Sequence, residues 1–131
     1  SMDIDQNFPV SLEVQFLGGL EGNVERPTGN LCTPGMHVMM NGELITEHCI
    51  SSTSQTFYGE EWIDVEVEVH NDSLITHKIN GKEVTSYSKP GFGGEYNTTF
   101  KEGEPVKSGY ISLQSESHPI EFRKIELMEL N

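Results

Sequence analysis

Apolar and polar residues alternate along much of this chain, and no useful length of it repeats with the period of an α-helix. The alternation is clearest in residues 12–16, 62–69 and 110–114. An extended strand with this pattern has one apolar and one polar face, so the chain is predicted to be all-β. The side chains expected in the core are Leu12, Val14, Phe16, Ile63, Val65, Val67, Val69, Ile111, Leu113 and Phe122.

Two Asn-Gly dipeptides mark turns between strand-like runs. Asn41-Gly42 lies between residues 37–40 and 43–46, and Asn80-Gly81 follows residues 74–79. Asn-Gly favours a two-residue type I′ turn, so each dipeptide predicts a β-hairpin. Short strands with one apolar face, separated by such turns, are typical of an antiparallel β-sandwich or a barrel.

Length and charge limit the classes of function. The 131 residues are enough for one domain, expected over residues 3–131, and Ser1-Met2 is interpreted as a cloning scar and a start residue. No apolar run approaches the roughly 20 residues of a membrane span. The formal charge of −13 repels phosphate groups and anionic lipid surfaces, so neither nucleic acid nor a membrane is an expected partner. Neutral ligands such as sugars are compatible with this charge, but the charge does not select them.

The two cysteines lie on either side of the first hairpin. Extending the Asn41-Gly42 register outward pairs residue 32 with residue 51, and a bulge of about two residues near Pro34-Gly35 would bring Cys32 opposite Cys49. Two interpretations stay open. A disulfide would favour a periplasmic or extracellular location, and the alternative is a pair of buried free thiols.

The C-terminal sequence has the most specific pattern. Residues 109–127 form two strand-like runs joined by a polar turn at residues 115–119. Together with residues 11–16 and the Asn80-Gly81 turn after a Trp62-led run, this pattern resembles the 3-keto-disaccharide hydrolase-like family. The resemblance runs from Phe8 to the end of the chain, and it implies a concanavalin A-like jelly roll, which decides for the sandwich.

The comparison with the family also predicts an uncovered edge. Family members carry several strands before the segment that matches residues 8–15, and these strands have no counterpart here. We therefore expect a truncated jelly roll with exposed backbone groups and apolar surface. A second copy could cover both, so a homodimer is expected.

The resemblance assigns a catalytic role to Glu13. It matches the family's central acidic residue on the concave sheet, where a carboxylate could act as a general acid or base. Gln15 projects from the same side of the predicted strand and could bind the ligand. The alternative for both is a solvated strand face.

Three histidines and two neighbouring polar residues are further candidates. His37 and His48 are brought side by side by the first hairpin register, His37 as a catalytic and His48 as a ligand-binding candidate. His118 lies in a turn that resembles the family's Gln-x-x-x-His region, which makes His118 a catalytic candidate and Gln114 and Glu116 ligand-binding candidates. None of the five histidines belongs to a metal-ligand motif, so no metal and no cofactor are predicted.

Arg123 and Trp62 complete the candidate set. Arg123 matches a family arginine that could clamp a ligand oxygen, and a salt bridge to an internal glutamate is the alternative. Trp62 could stack on a sugar ring, or it could pack in the core or at an edge.

Besides a plain structural domain, two functions remain open. The resemblance implies a carbohydrate-active protein, a glycoside hydrolase of 3-keto-disaccharides that binds a glycan on the concave face. With such a substrate, abstraction of a proton beside the keto group would permit elimination. The alternative is a non-catalytic carbohydrate-binding or assembly module with the same fold.

Overall fold

The computed structural model describes residues 8–131, and the scar interpretation of Ser1-Met2 falls outside this range. The described chain contains eight strands and no helix. The strands are β1 (Glu13–Gln15), β2 (Asn30–Cys32), β3 (Met36–Met40), β4 (Glu43–Ile45), β5 (Cys49–Ile50), β6 (Val65–His70), β7 (Leu74–Ile79) and β8 (Lys82–Phe92). Within residues 8–131, then, no helix is long and apolar enough to cross a membrane.

The strands form two antiparallel sheets of unequal size. The small sheet has the order β1-β2-β5, and the large sheet has the order β4-β3-β8-β7-β6. Leu31 of the small sheet packs against Val38, Ile75 and Tyr87 of the large sheet, and these four buried side chains are the centre of the core. The protein is an all-β sandwich, as predicted.

Both Asn-Gly hairpins are present as predicted. Asn41 and Gly42 have φ values of 51° and 82°, and β3 pairs with β4 immediately beside them. Asn80 and Gly81 have φ values of 48° and 77°, and they join β7 to β8. Positive φ at both central positions is the requirement of a type I′ turn, which asparagine and glycine meet at low cost.

The cysteines are joined in the small sheet. Cys32 of β2 is the direct register partner of Cys49 of β5, and a disulfide bond links them. The chain leaves the small sheet directly after Cys32 in a tight turn, with Met36 N–H donating to Thr33 O and Gly35 at a φ of 72°. This turn lies at Pro34-Gly35, where the sequence predicted the shift in register that brings Cys32 opposite Cys49.

The C-terminal hairpin predicted over residues 109–127 is not formed. The described chain has no strand after β8, and residues 107–131 are exposed throughout. Ile111, Leu113 and Phe122 are therefore not core residues. An isolated two-stranded hairpin is marginal in water, and this segment has no sheet beside it to extend.

The core assignment for β6 is also wrong, although the strand itself is correct. Val65, Val67 and Val69 are 40%, 43% and 51% exposed. Their register partners on β7 are buried, so the three valines lie on the inward face of the large sheet. They stay uncovered because β6 is the edge strand and the small sheet is too narrow to reach it.

The remaining predicted core residues lie at the margin of the sandwich. Leu12, Val14 and Ile63 are half-buried, whereas Phe16 is exposed at the end of β1. Leu12 packs against the edge of the core cluster. Leu12, Val14 and Phe16 stand on or beside β1, an edge strand of the three-stranded sheet, which has few fully covered positions. Ile63 lies just before β6, the edge strand of the large sheet.

Candidate functional site

Several loops meet at one end of the sandwich, beside the start of β1. They connect to β1, β2, β5 and β8. The main-chain hydrogen bonds that join them are Ser11 N–H to Pro34 O (3.0 Å), Thr33 N–H to His48 O (2.7 Å) and Gly93 N–H to Gly35 O (2.9 Å). Loops held together on a rigid β scaffold are the usual location of ligand contacts.

Glu13 is the half-buried carboxylate of this loop end. Alternation along β1 turns Val14 towards Leu31 and the core, and it turns Glu13 to the opposite face of the small sheet. Burial raises the pKa of Glu13 above its ordinary value, and the negative charge of Glu116 raises it further. A hydrogen bond from Ser11 Oγ (3.4 Å) and the charge of His48 act in the opposite direction, but burial outweighs them. A carboxyl group with a raised pKa is suited to proton transfer near neutral pH.

An aromatic wall lies at the same loop end, and it includes His48, whose charge acts on Glu13. The rings of His48 and Tyr96 are 5.3 Å apart at a tilt of 39°, and Phe8 meets Tyr96 edge-on at 5.7 Å. Tyr96 is 40% exposed, so part of its ring is open to solvent. An exposed aromatic face at this loop end can accept the C–H face of a sugar ring.

Gln15 lies on the same face of β1 as Glu13. Its Oε1 accepts a hydrogen bond of 3.0 Å from Asn30 Nδ2, and Asn30 Oδ1 accepts one of 2.8 Å from the Ser52 amide. Asn30 is buried, so this chain of hydrogen bonds fixes the orientation of the Gln15 amide. A fixed amide next to the carboxylate is suited to binding a hydroxyl group.

His37 lies apart from this group. It belongs to β3, where its neighbour Val38 faces the core, and its Nδ1 lies 3.9 Å from Glu102 Oε1. Residues 93–94 pass against the imidazole so closely that a Cβ added at Gly93 would lie 2.7 Å from Nδ1. Glu102 also lines an open depression of about 460 Å³ formed by residues 101–105. Within residues 8–131, no hydrogen bond or ion pair connects His37 to Glu13.

Trp62 is 48% exposed, so it is not a core residue. The guanidinium of Arg123 lies 4.0 Å from the centre of the indole ring, in cation–π geometry. Phe122 lies near Phe16, with 6.4 Å between the ring centres. The salt bridge considered for Arg123 is not formed with any residue of the described range. One face of the tryptophan is thus covered by Arg123.

His118 lies in an exposed turn. Its N–H donates to Glu116 O at 2.7 Å, its carbonyl accepts from Ser115 Oγ at 3.0 Å, and Ser117 has a φ of 61°. Gln114 Nε2 donates weakly to Glu116 Oε2 at 3.4 Å. Only Glu116 of this turn has a resolved electrostatic effect on Glu13.

The structure therefore groups seven of the nine candidates into three sets, and it leaves Gln114 and His118 in or beside the exposed turn. Glu13, Gln15, His48 and Glu116 belong to the loop end, Trp62 and Arg123 form a stacked pair, and His37 stands with Glu102. Among residues 8–131 there is no group of three or more His, Cys, Asp or Glu side chains that could hold a metal ion.

Three contributors to these groups were not identified from the sequence alone: Ser11, Asn30 and Glu102. The position of Ser11 beside Glu13 could have been predicted, because residues two apart in an extended chain project to the same side. The positions of Asn30 and Glu102 could not, since Asn30 meets Gln15 through the pairing of β2 with β1 and Glu102 meets His37 through a loop, and neither approach is encoded locally.

The structure defines an antiparallel β-sandwich whose loop end carries a half-buried acid, a histidine and an aromatic wall. The chain belongs to the family of the 3-keto-alpha-glucoside-1,2-lyase-like domain, whose model matches residues 2–128. This confirms the resemblance found in the sequence, and it makes the protein a carbohydrate-active, glycosidase-like domain. No curated protein and no solved structure matches the chain.

Proposed function

We propose that this protein cleaves the glycosidic bond of a 3-keto-glucoside by elimination, with Glu13 as the general base. The observation that carries the proposal is the half-buried Glu13 carboxyl, whose pKa is raised by burial, beside His48. The family description, which names a 1,2-lyase-like domain, supports this reaction type.

The chemistry requires a base of this kind. A ketone at carbon 3 acidifies the proton on carbon 2, and a base that removes this proton leaves the electron pair as an enolate. The enolate then expels the glycosidic oxygen from carbon 1, and that oxygen takes up a proton as it leaves. The product has a carbon 1–carbon 2 double bond conjugated with the ketone, and later addition of water to that bond would complete a hydrolysis.

The other candidates have roles around this step. His48, or His118 on the neighbouring turn, would donate the proton to the leaving oxygen. Gln15 and Gln114 would bind sugar hydroxyl groups, and Tyr96 would support the ring. His37 has no part in this step, because its contacts are with Glu102 and residues 93–94.

The test compares Glu13→Gln with Glu68→Gln on a panel of 3-keto and ordinary disaccharides. Loss of the Glu13 carboxylate should lower kcat/KM for the 3-keto substrate by about 100-fold or more, because the base is removed. The ultraviolet absorbance of the conjugated ketone follows the product. Glu68 is a matched control, since it is a glutamate of β6, outside the loop end, and it is hydrogen-bonded to Lys78 and His70. Equal activity of the two variants would contradict the role of Glu13.

A second candidate function is a sugar-binding module without catalysis. The observation that favours it is the exposure of residues 114–118, because an elimination site usually has to exclude water from its reactive intermediate. Titration of the wild type and of Glu13→Gln with the same sugars separates the two functions. Binding by both proteins without turnover by either would favour the module.

A further inference from the structure

The C-terminal segment, residues 107–131, has the sequence of a strand but no sheet to join. All of its residues are exposed, and Ile125, Leu127 and Met128 are among the most exposed apolar side chains. Within the described chain its main chain forms one hydrogen bond to the main chain, from His118 N–H to Glu116 O. One further backbone group, the His118 carbonyl, accepts from Ser115 Oγ. The backbone donors and acceptors of residues 119–127 are thus available to a partner strand.

The apolar residues of this segment can share one face. Ile120 and Phe122 are two residues apart, and so are Ile125 and Leu127, but the two pairs are out of phase by one residue. Lys124, between them, has a φ of 51°. A β-bulge there would restore the phase and put all four apolar side chains on one side.

The same chain carries a surface that such a strand could cover. β6 is an edge of the large sheet, and its valines Val65, Val67 and Val69 form an uncovered stripe on the inward face, called here the valine stripe. A free edge with an exposed apolar face is a template for pairing with another strand.

The total exposed surface is too large for a compact chain of this mass. The chain exposes 9690 Å². A compact protein of 14.7 kDa exposes about 6,900 Å², so the excess is about 2,800 Å². A stable protein–protein interface needs only about 800 Å² from each partner. The excess therefore exceeds the area that a stable dimer requires.

Two copies could pair through β6 in two ways, either β6 with β6 or β6 with the C-terminal segment, and the charges on β6 favour the second. If two β6 strands paired with each other about Val67, each Glu66 would face a Glu68, and like charges directly opposite are destabilising. Pairing with the C-terminal segment would move Phe122 away from Phe16 and Arg123 away from the Trp62 ring. It would bring Arg123 to the face of β6 that carries Glu66 and Glu68. Glu66 is the more exposed of these two carboxylates and is available to a second cation besides Lys78.

We propose that this chain forms a two-fold dimer in which residues 119–127 of each copy pair with the β6 edge of the other and cover its valine stripe. Ile120, Phe122, Ile125 and Leu127 pack on Val65, Val67 and Val69 across the interface. Each chain carries both residues 119–127 and a β6 edge. Two copies can therefore pair reciprocally, and neither surface stays exposed in the dimer.

Sedimentation or light scattering at micromolar concentration tests the dimer. The wild type should have twice the chain mass of 14.7 kDa. Val67→Glu should raise the dimer Kd by about tenfold or more, because a carboxylate would be buried in the apolar contact. Leu44→Glu is the matched control, since Leu44 is an exposed apolar residue on β4 at the other edge of the same sheet. A monomer at all concentrations, or a dimer that Val67→Glu leaves intact, would overturn the proposal.

Cross-linking distinguishes exchange between copies from folding back within one chain. Val67→Cys and Phe122→Cys are made on separate chains, and the two proteins are mixed under oxidising conditions. The proposal predicts a covalent heterodimer on a non-reducing gel. If instead only a chain carrying both substitutions forms the bond, and it forms within a monomer, the segment covers its own β6 and the exchange is wrong.

Discussion

His77 is a fully buried imidazole that connects three parts of the sandwich. Its Nδ1–H donates to Gly29 O (2.9 Å) and its Nε2 accepts from Tyr87 Oη–H (3.1 Å), which fixes it as the neutral tautomer protonated at Nδ1. Burial lowers the pKa of His77 below 6.5, while the bond to Gly29 acts weakly in the other direction. The folded protein therefore resists protonation of this ring.

This depressed pKa predicts a loss of stability in acid. Below about pH 6.5 the unfolded chain takes up a proton on His77 that the folded chain does not, so the free energy of unfolding should fall as the pH is lowered towards the folded pKa. Each unit of pKa depression corresponds to about 1.4 kcal/mol. Urea unfolding at about pH 7.5 and about pH 5 measures the change.

The control is His77→Gln, which keeps a polar side chain but does not titrate. Glu13 contributes in the opposite direction, since its raised pKa favours the folded state as the pH falls, and subtracting the variant from the wild type removes this term. Identical pH slopes for the two proteins would show that His77 is not the group responsible.

At the scale of elements, the Cys32–Cys49 disulfide holds the shortest strand. β5 has two residues, its one strand partner within residues 8–131 is β2, and His48 directly precedes it. The bond spans 17 residues, and a closed loop of about that length stabilises a fold by roughly 3 kcal/mol. Replacing both cysteines with alanine should lower the free energy of unfolding by about this amount.

Denaturant unfolding with and without a thiol reductant checks this prediction. Reductant should destabilise the wild type and leave the double alanine variant unchanged. If reductant affects both proteins equally, or neither, the disulfide does not contribute to the stability of the small sheet.

The elements also show what the sequence could and could not predict. The two Asn-Gly hairpins were predictable because a tight turn and its flanking strands interact over a few residues. The exposure of the β6 valines was not predictable. It depends on the width of the opposite sheet, which no local pattern encodes. The prediction of a C-terminal hairpin was wrong for a related reason. Alternation predicts which side chains share a face of a strand, but it does not predict which strand lies beside it.

The candidate site also has features that the sequence could predict and features that it could not. That Glu13 and Gln15 share a face follows from the period of a strand and was predictable. The approach of His48 and Tyr96 to each other depends on loops that are distant in sequence and meet only in the folded protein. The separation of His37 from Glu13 depends on their lying in different sheets.

At the scale of the whole molecule, the charge of −13 on 131 residues opposes compaction and association. Raising the ionic strength from about 20 mM to about 300 mM shortens the range of this repulsion to below 10 Å. We expect a modest gain in the free energy of unfolding, of about 1 kcal/mol, measured by urea unfolding at both salt concentrations. A loss of stability in salt would mean that ion pairs such as Lys78 with Glu66 and Glu68 outweigh the general repulsion.

The stacking of Arg123 on Trp62 gives the protein an optical probe of its own. Trp62 is the only tryptophan, it is half exposed, and the residue that covers it belongs to the C-terminal segment. Any event that lifts Arg123 from the ring changes the solvation of the indole, to which fluorescence emission is sensitive. The state of the C-terminal segment can therefore be followed without a label, in real time and at low protein concentration.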